Sequence, residues 1–171
     1  MITFSVEPRC NISQESYRAK MKKLPLKRMR CSRCGCVGRL TRHAYYTRAI
    51  KSAGRKITLT VERLKCSKCN HTHAVVPSYI VPCCQVTLWE QIEIIRQFTR
   101  GLGISEVMEK NPTIDENLSY SILRRYRERW LDRFPPESVP HMSAEEISRR
   151  CFSDFGRQFM QVRDIPNEFF Y

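Results

Sequence analysis

Long apolar runs are absent from this 171-residue sequence. No stretch approaches the roughly 20 consecutive apolar residues of a membrane-spanning helix, so we predict no membrane partner. The start, MITFSVEPRC, lacks the basic region and long apolar segment of a secretory signal, so we expect a cytoplasmic protein. Thiols stay reduced in that compartment, and an odd number of cysteines, nine, also argues against a complete set of disulfides.

Acidic residues are scarce in the first half of the chain. Residues 1–87 contain 18 lysines and arginines but only three acidic residues, which gives a net charge of +15. Residues 88–171 contain 12 basic and 14 acidic residues, a net charge of −2. This asymmetry favours a polyanionic partner, most often nucleic acid, because neutralised phosphates release condensed counterions. The alternative is a basic surface that serves only solubility.

The shortage of carboxylates also bears on catalysis. A transposase or nuclease holds two metal ions with a cluster of acidic side chains. The first half offers only Glu7, Glu15 and Glu62, and the later acidic residues lie in predicted helices, where they suit caps and exposed faces. We therefore predict that the protein is not an enzyme, and a minimal transposase or nuclease is the alternative.

Two C-x-x-C pairs, in CSRCGC and CSKCNH, predict a metal site. Zinc takes four tetrahedral ligands, and a two-residue gap lets one tight turn direct both sulfurs at the same ion. The residues after the pairs, Gly35 and Asn70, are types that readily adopt the left-handed conformation of such a turn. Four thiolates leave no open position for water, so the ion is predicted to be structural. The predicted zinc ligands are Cys31, Cys34, Cys66 and Cys69.

Other potential ligands lie beside these pairs. Cys36 is an alternative to Cys34 in the metal shell, at the expense of the match between the two pairs. His71 and His73 are further alternatives, although histidines at such positions more often face solvent or touch phosphate. The adjacent cysteines of VPCC are interpreted as ordinary thiols, with a redox pair as the alternative.

A β-hairpin is predicted between the two cysteine pairs. ITLTVERLKC alternates apolar and polar residues, LTRHAYYTRAI is rich in aromatic and β-branched residues, and Gly54 in KSAGRK supplies the turn. Paired cysteine turns joined by a hairpin form a zinc ribbon. We predict an α+β protein in which this ribbon precedes an all-α helix-turn-helix domain and a C-terminal helix. The predicted segments are 1–27 (basic), 28–84 (ribbon), 85–136 (helix-turn-helix) and 137–171 (linker and amphipathic helix).

Three helices are predicted after the ribbon. The first starts at a capping box of Thr87 with Glu90 and ends at two glycines; the second is short and is followed by Pro112. The third starts at a capping box of Thr113 with Glu116. Its apolar stripe is Leu118, Ile122, Tyr126 and Trp130, widened by Leu123 and Phe134. Helix, glycine-containing turn, short helix and longer helix is the helix-turn-helix order.

The third helix is the candidate DNA reader, since the early part of a recognition helix faces the bases. The alternative is a packing unit of three helices with a solvated arginine face. The predicted DNA contacts of this helix are Asn117, Ser119, Tyr120, Ser121, Arg124, Arg125 and Arg127. The predicted contacts of the ribbon are Arg33, Arg39, Arg42, Arg55, Lys56 and Lys68.

An apolar stripe follows a third capping box, Ser143 with Glu146. The stripe, which Pro166 ends, is Ile147, Cys151, Phe155, Phe159 and Val162. Such a helix packs back on the core, or it presents a docking surface for a partner or a second copy. The chain ends on the aromatic residues of NEFFY.

The order of CxxCG, hairpin, RLKCSKCNHTHAVVPSYIVP and helix-turn-helix resembles the N-terminal DNA-binding region of zinc-ribbon insertion-sequence transposases. It is more similar still to a short stand-alone family of bacterial mobile elements. The resemblance covers roughly residues 28–134 and is most specific at the cysteine pairs and THAVVPS. It implies zinc on the four paired cysteines and binding to terminal repeats, and it stops before any catalytic domain. Cys83 stands where an aromatic residue is expected in such relatives.

We therefore expect a zinc-dependent, nucleoid-associated protein that binds double-stranded DNA, as a transposition accessory factor or a regulator of a mobile element. Partners consistent with this expectation are a transposase or recombinase, or a second copy bound through the C-terminal helix. A zinc-ribbon RNA binder or adaptor to the transcription machinery is a further alternative. For that alternative, Tyr45 and Tyr46 of HAYYTR would stack on bases, unless they fill the small core of the ribbon.

Overall fold

A computed structural model describes residues 1–6, 13–52, 54–163 and 165–170. Within these residues the fold is α+β, as predicted, with one five-stranded sheet and five α-helices, none of which has the length and apolar content to cross a bilayer. The strands are β1 (Ile2–Phe4), β2 (Leu40–Ser52), β3 (Arg55–Cys66), β4 (Thr72–Pro77) and β5 (Glu168–Phe170). The helices are α1 (Gln14–Lys23), α2 (Leu88–Thr99), α3 (Ile104–Lys110), α4 (Glu116–Arg129) and α5 (Ala144–Phe155).

The predicted hairpin is the centre of the sheet. β2 and β3 pair antiparallel along their whole length, from Leu40 opposite Cys66 to Ser52 opposite Arg55. Gly54 lies in the turn with a φ of 70°, while residue 53 of the predicted turn lies outside the described residues. The period-two pattern of β3 holds from Ile57 to Val61, and it then changes phase, so that Glu62, Leu64 and Cys66 are buried. The change lies next to a shift of register between Arg42 and Ala44 of β2. Glu62, predicted on the polar face, is therefore inside the protein.

The sheet extends well beyond this hairpin. β4 pairs antiparallel with β3, β1 pairs parallel with β4, and β5 pairs parallel with β1. The strand order is β2-β3-β4-β1-β5. The predicted basic segment 1–27 therefore begins with a strand, and NEFFY supplies another, with Tyr171 outside the described residues. Strands of three residues are too short to show a periodicity in the sequence.

Helix α1 covers one face of the sheet, and it ends at Lys23, two residues before Pro25. Its buried residues are Tyr17 and Met21. The Tyr17 hydroxyl donates to the carbonyl of Val75 and accepts from the N–H of Glu62, each over 2.9 Å. These two bonds join α1 to β4 and β3 and close the first apolar core, which also contains the buried cysteines of the two pairs.

Helices α2 to α5 surround a second apolar core. Trp130, Phe134 and Phe159 are at most 2% exposed and lie ring against ring, with centroids 5.1 to 6.0 Å apart. Ile147 and Cys151 of α5 are fully buried in the same cluster. Ile147 and Cys151 of α5 therefore pack on the core of the chain, which is the first of the two predicted alternatives for this helix.

Helix boundaries differ from the prediction at two places. α4 is capped by Asp115 and not by Thr113, because the Asp115 carboxylate accepts from the N–H of Leu118 over 2.9 Å. α5 ends at Phe155, where the next residue is a glycine in the left-handed conformation, so the predicted stripe residues 159 and 162 lie beyond the helix. The predicted caps of α2 and α5 are confirmed: the hydroxyls of Thr87 and Ser143 accept the N–H groups of Glu90 and Glu146.

Candidate metal centre and nucleic-acid interface

Strand register brings the two cysteine pairs together. Cys66, the last residue of β3, lies opposite Leu40, the first residue of β2. The chain enters β2 from the first pair and leaves β3 into the second, so both pairs lie at the same end of the hairpin. An antiparallel hairpin produces this proximity whatever its length, provided that the register is kept.

The two cysteine turns have the same backbone geometry. The N–H of Gly35 donates to the carbonyl of Cys31 over 2.9 Å, and the N–H of Asn70 donates to the carbonyl of Cys66 over the same distance. The φ angles of Gly35 and Asn70 are 71° and 58°, which confirms the left-handed conformation predicted at both positions. The matched turns aim all four cysteines at one point.

The sulfurs of the four paired cysteines lie within 4.8 Å of one another. The Sγ atoms of Cys31 and Cys69 are 3.6 Å apart, and those of Cys34 and Cys66 are 3.8 Å apart. Zinc–sulfur bonds of about 2.3 Å in a tetrahedron place neighbouring sulfurs about 3.8 Å apart. The donor set therefore fits one thiophilic metal ion of the size of zinc, and the four cysteines can hold a metal as the sequence predicts.

Backbone amides favour the thiolate form at this cluster. Hydrogen bonding from the N–H of Cys69, the largest of several contributions, lowers the pKa of the Cys66 thiol to about 6. The N–H and the thiol of Cys36 likewise lower the pKa of Cys34. The pKa of Cys69 shifts the other way: the His71 N–H lowers it, but burial and the neighbouring thiols together raise it to about 11. A metal binds the thiolate and not the thiol, so the amides reduce the cost of deprotonation at Cys34 and Cys66 and not at every cysteine of the cluster.

His73, one of the predicted alternative ligands, is buried against the cluster and does not face solvent. Its side chain is 1% exposed, with Nε2 lying 3.2 Å from the Cys31 sulfur and Nδ1 3.1 Å from the Ser32 hydroxyl. Burial lowers the pKa of His73 to about 4, so the ring is neutral. With its proton on Nε2 the ring donates to Cys31 while Nδ1 accepts from Ser32, an arrangement that orients a metal ligand. The period of two in β4 is the available signal, since it places His73 on the buried face with Val75.

The other predicted alternatives lie apart from this arrangement. His71 is exposed, and its Nδ1 accepts from the Arg33 guanidinium over 3.0 Å. The two cysteines of VPCC lie in the turn before α2, outside the cluster. Cys36, in contrast, contacts two of the four sulfurs.

A second feature is a groove along the exposed side of α4. It holds about 630 Å³ and is bounded by the end of α2. Tyr120 is 52% exposed at its edge. The residues that line this α4 groove are Phe98, Asn117, Tyr120, Ser121, Leu123, Arg124, Arg127 and Glu128. Five of the seven predicted contacts of the helix therefore lie on one surface.

The remaining two predicted DNA contacts of α4, Ser119 and Arg125, do not lie on this surface, which corrects the prediction. Ser119 is completely buried, and its hydroxyl makes no hydrogen bond among the described residues. Arg125 is half-buried and has one guanidinium nitrogen inside the protein. A helix turns 100° per residue, so neither side chain shares the exposed face of Asn117 and Arg124. Ser119 belongs to the packed side of α4 and is withdrawn from the contact surface.

The predicted DNA contacts of the ribbon differ in whether their side chains are exposed or bound within the protein. Arg39, Arg55, Lys56 and Lys68 are exposed. Arg42 is not free: its Nη1 donates to both carboxylate oxygens of Glu62, and its Nη2 donates to the carbonyl of Met21 over 2.8 Å. Because Glu62 is only 3% exposed, Arg42 neutralises a buried carboxylate. Its first role is structural.

The tip of the hairpin reaches the start of α4. The Lys51 ammonium lies 3.9 Å from the Asp115 carboxylate, which also caps α4. A Cβ atom on Gly54 would lie 3.5 Å from Pro112, in the loop before α4. The metal site and the α4 groove are therefore connected by the length of one hairpin, with the exposed cations Arg55 and Lys56 at its tip.

Comparison with known proteins gives one family match. Residues 35–117 match the profile of a family described as a domain of unknown function, DUF6431. The matched segment contains Cys66 and Cys69 together with the hairpin, α2 and α3, and it ends at the beginning of α4. No curated protein and no solved structure matches the chain.

Proposed function

We propose that this protein is a zinc-dependent, non-enzymatic protein that binds double-stranded DNA for a mobile genetic element, as a transposition accessory factor or a regulator. In this proposal β2, β3 and the two cysteine turns form a zinc ribbon, and α2, α3 and α4 form a helix-turn-helix. The resemblance to the DNA-binding region of insertion-sequence transposases supports the mobile-element context, and a transposase or recombinase is the expected protein partner.

The distribution of side chains on α4 carries the proposal. Ile122, Tyr126 and Trp130 are at most 2% exposed and pack into the helical core. The opposite face carries the α4 groove, with amide, phenol and guanidinium groups and one exposed carboxylate, that of Glu128. A recognition helix has this division, because it needs one face to hold it on the domain and one to meet base edges.

The charge of the hairpin adds support. The first 87 residues carry a net charge of +15, and the exposed arginines and lysines of the hairpin lie on the same structure that reaches α4. In the proposed mechanism α4 lies in the major groove of the DNA, and these cations contact the phosphates on either side of that groove. Zinc, when bound, holds the two cysteine turns closed and so fixes the direction of the hairpin.

Binding to random duplex DNA tests the phosphate contacts. We expect affinity to fall steeply with salt, with a slope of log affinity against log salt of about −4.5 if about five phosphates are neutralised. Arg39→Ala should remove one phosphate contact and so reduce the magnitude of that slope by about 0.9. Fluorescence anisotropy over a range of salt concentrations measures both quantities. An affinity that does not change between low and moderate salt would contradict phosphate-led binding.

Selection of bound sequences from a random duplex library tests the role of α4. Arg124 is 75% exposed in its side chain and pairs only loosely with Glu128, at 3.9 Å, so it is available for a two-bond contact to guanine. Arg124→Ala should relax preference at one base position, at a cost of about 1–3 kcal/mol of discrimination. Arg163→Ala, an exposed arginine outside the groove, is the matched control. An unchanged motif in Arg124→Ala would remove Arg124 as a base reader, and no motif in the parent would leave only non-specific binding.

Elemental analysis of the purified protein tests the metal. We expect one zinc ion per chain, and we expect Cys66→Ser to lose it together with the fold of the two cysteine turns, because metal binding supplies on the order of 10 kcal/mol to such sites. Cys151→Ser, which alters a buried cysteine of the helical core, is the control and should keep the ion. Full zinc content in Cys66→Ser would defeat the assignment.

A second candidate function, binding to single strands, is favoured by one observation. Tyr45 is 66% exposed on β2 and is available to stack on a base, whereas Tyr46 is half-buried under the Arg63 guanidinium, 4.7 Å above its ring. Base stacking on an aromatic ring contributes about 1–3 kcal/mol per base. Competition among duplex DNA, single-stranded DNA and RNA, repeated with Tyr45→Ala, separates the two functions.

A further inference from the structure

A fifth sulfur lies against the four of the metal centre. The Sγ atom of Cys36 is 3.2 Å from that of Cys34 and 3.3 Å from that of Cys66. Both separations are shorter than the roughly 3.8 Å edge of a zinc tetrathiolate. A metal ion held by Cys34 and Cys66 would therefore have Cys36 beside two of its ligands.

The backbone holds Cys36 in this position. The N–H of Cys31 donates to the carbonyl of Cys36 over 2.9 Å, and in the second turn the N–H of Cys66 donates to the carbonyl of His71 over 3.0 Å. Both turns thus present a potential ligand five residues after their first cysteine. His71 is exposed and bound to Arg33, so only Cys36 is directed at the cluster.

The four proposed ligands are not equally protected. Cys31 and Cys66 are fully buried and Cys69 is half-buried, but Cys34 is exposed to solvent. Cys36 is half-buried, and its sulfur lies 3.2 Å from that of Cys34. In a metal centre held by these cysteines, Cys34 would be the ligand most accessible to water and competing thiols, and Cys36 would be the cysteine beside it.

We propose that Cys36 is a reserve ligand that exchanges with Cys34, so that the centre keeps four thiolates in either of two sets. This inference rests on the proposed zinc site. In the exchange the bond between zinc and the Cys34 sulfur breaks and a bond to the Cys36 sulfur forms. The Cys36 thiol proton passes to the Cys34 thiolate, so charge and coordination number are unchanged and no oxidant takes part. Thiophilic ions such as zinc, cadmium and cobalt(II) are the ligand class.

Metal binding by a set of serine variants of the full chain tests the exchange. The variants are Cys34→Ser, Cys36→Ser, the double variant of both, and Cys66→Ser. Cobalt(II) is the probe, because its sulfur charge-transfer absorption reports the number of thiolates while a titration gives the affinity. Zinc content by elemental analysis is the second readout, and circular dichroism checks that the helical core remains folded.

The expected pattern is asymmetric. Each single variant, Cys34→Ser and Cys36→Ser, should keep four-thiolate absorption and stay within about threefold of the parent affinity, since the other cysteine completes the shell. The double variant should lose at least about tenfold in affinity and show reduced charge-transfer absorption, as Cys66→Ser should.

Two results overturn the exchange. Cys34→Ser that loses as much affinity as Cys66→Ser would show that Cys36 does not replace it. A double variant that matches the parent would show that neither cysteine is needed. With the first result, a parent that binds one ion leaves the proposed four-cysteine centre standing. The second result also removes Cys34 from that centre, and a parent that binds no metal defeats the zinc centre and the exchange together.

Discussion

At the scale of single residues, the described structure separates cations that hold the fold from cations that are free to meet a ligand. Arg42 and Arg39 lie three positions apart in the sequence, and both are basic residues of the predicted contact surface. Arg42 is bound to the buried Glu62 carboxylate and to a carbonyl of α1, whereas the Arg39 side chain is exposed. A charge on a hairpin therefore cannot be assigned to DNA from its type alone.

This difference predicts opposite phenotypes. Arg42→Ala leaves a buried carboxylate without its partner, so we expect unfolding to become easier by about 2 kcal/mol. Arg39→Ala should change the free energy of unfolding by less than about 0.5 kcal/mol, as exposed substitutions usually do, while weakening DNA binding. Chemical denaturation of both variants measures the contrast. Equal stability of the two variants would show that the Glu62 pair contributes nothing.

At the scale of elements, the start of α4 depends on a residue shared with the hairpin. Asp115 accepts the N–H of Leu118 with one carboxylate oxygen and faces Lys51 of β2 with the other. The ion pair is partly solvated and long, so the cap is the larger of the two effects. The position of Asn117 and Tyr120, which open the α4 groove, follows from this cap.

Two substitutions at position 115 separate the cap from the ion pair. Asp115→Ala removes both and should destabilise the protein by about 1 kcal/mol. Asp115→Asn keeps a capping oxygen and removes only the charge, so its effect should be a few tenths of a kcal/mol. Urea denaturation distinguishes them. If Asp115→Asn is as destabilising as Asp115→Ala, the contact with Lys51 and not the cap positions α4.

At the scale of the whole molecule, the described residues build two apolar cores. The core between α1 and the sheet contains two of the proposed metal ligands, the buried Cys31 and Cys66. The core of α2 to α5, around Trp130, contains none of the four proposed ligands. The hairpin joins the two, with its cysteine end in the first and its tip against the second. Local stability is therefore expected to respond unevenly to the metal.

Metal removal by a chelator should reveal this division. Amide hydrogen exchange is expected to accelerate in the two cysteine turns and the adjoining ends of β2, β3 and β4, because no metal then holds the turns together. Amides of α2 and α4 should keep their protection, since their core contains no proposed ligand. Mass spectrometry of the exchanged peptides measures both regions. Equal loss of protection in the helices would mean that the protein unfolds as one unit when the metal leaves.

Local patterns in the sequence determined the parts of this protein that depend on neighbouring residues. The left-handed turns at Gly35 and Asn70, the alternation of β3 and the caps at Thr87 and Ser143 each involve contacts within a few positions. Such contacts leave a readable signal, because the same few side chains make the structure and show the pattern. The four cysteines that can hold a metal were predictable for the same reason.

Only the tertiary structure decided features that join distant parts of the chain. β1 pairs with strands more than 70 and more than 160 residues away, and His73 meets Cys31 across 42 positions. Arg42 has a structural role because Glu62 and a carbonyl of α1 both bind its guanidinium group. Ser119 is buried because it lies on the side of α4 that packs against the core. Each outcome depends on which surface packs against which, and burial changes the role of a polar side chain without changing the sequence around it.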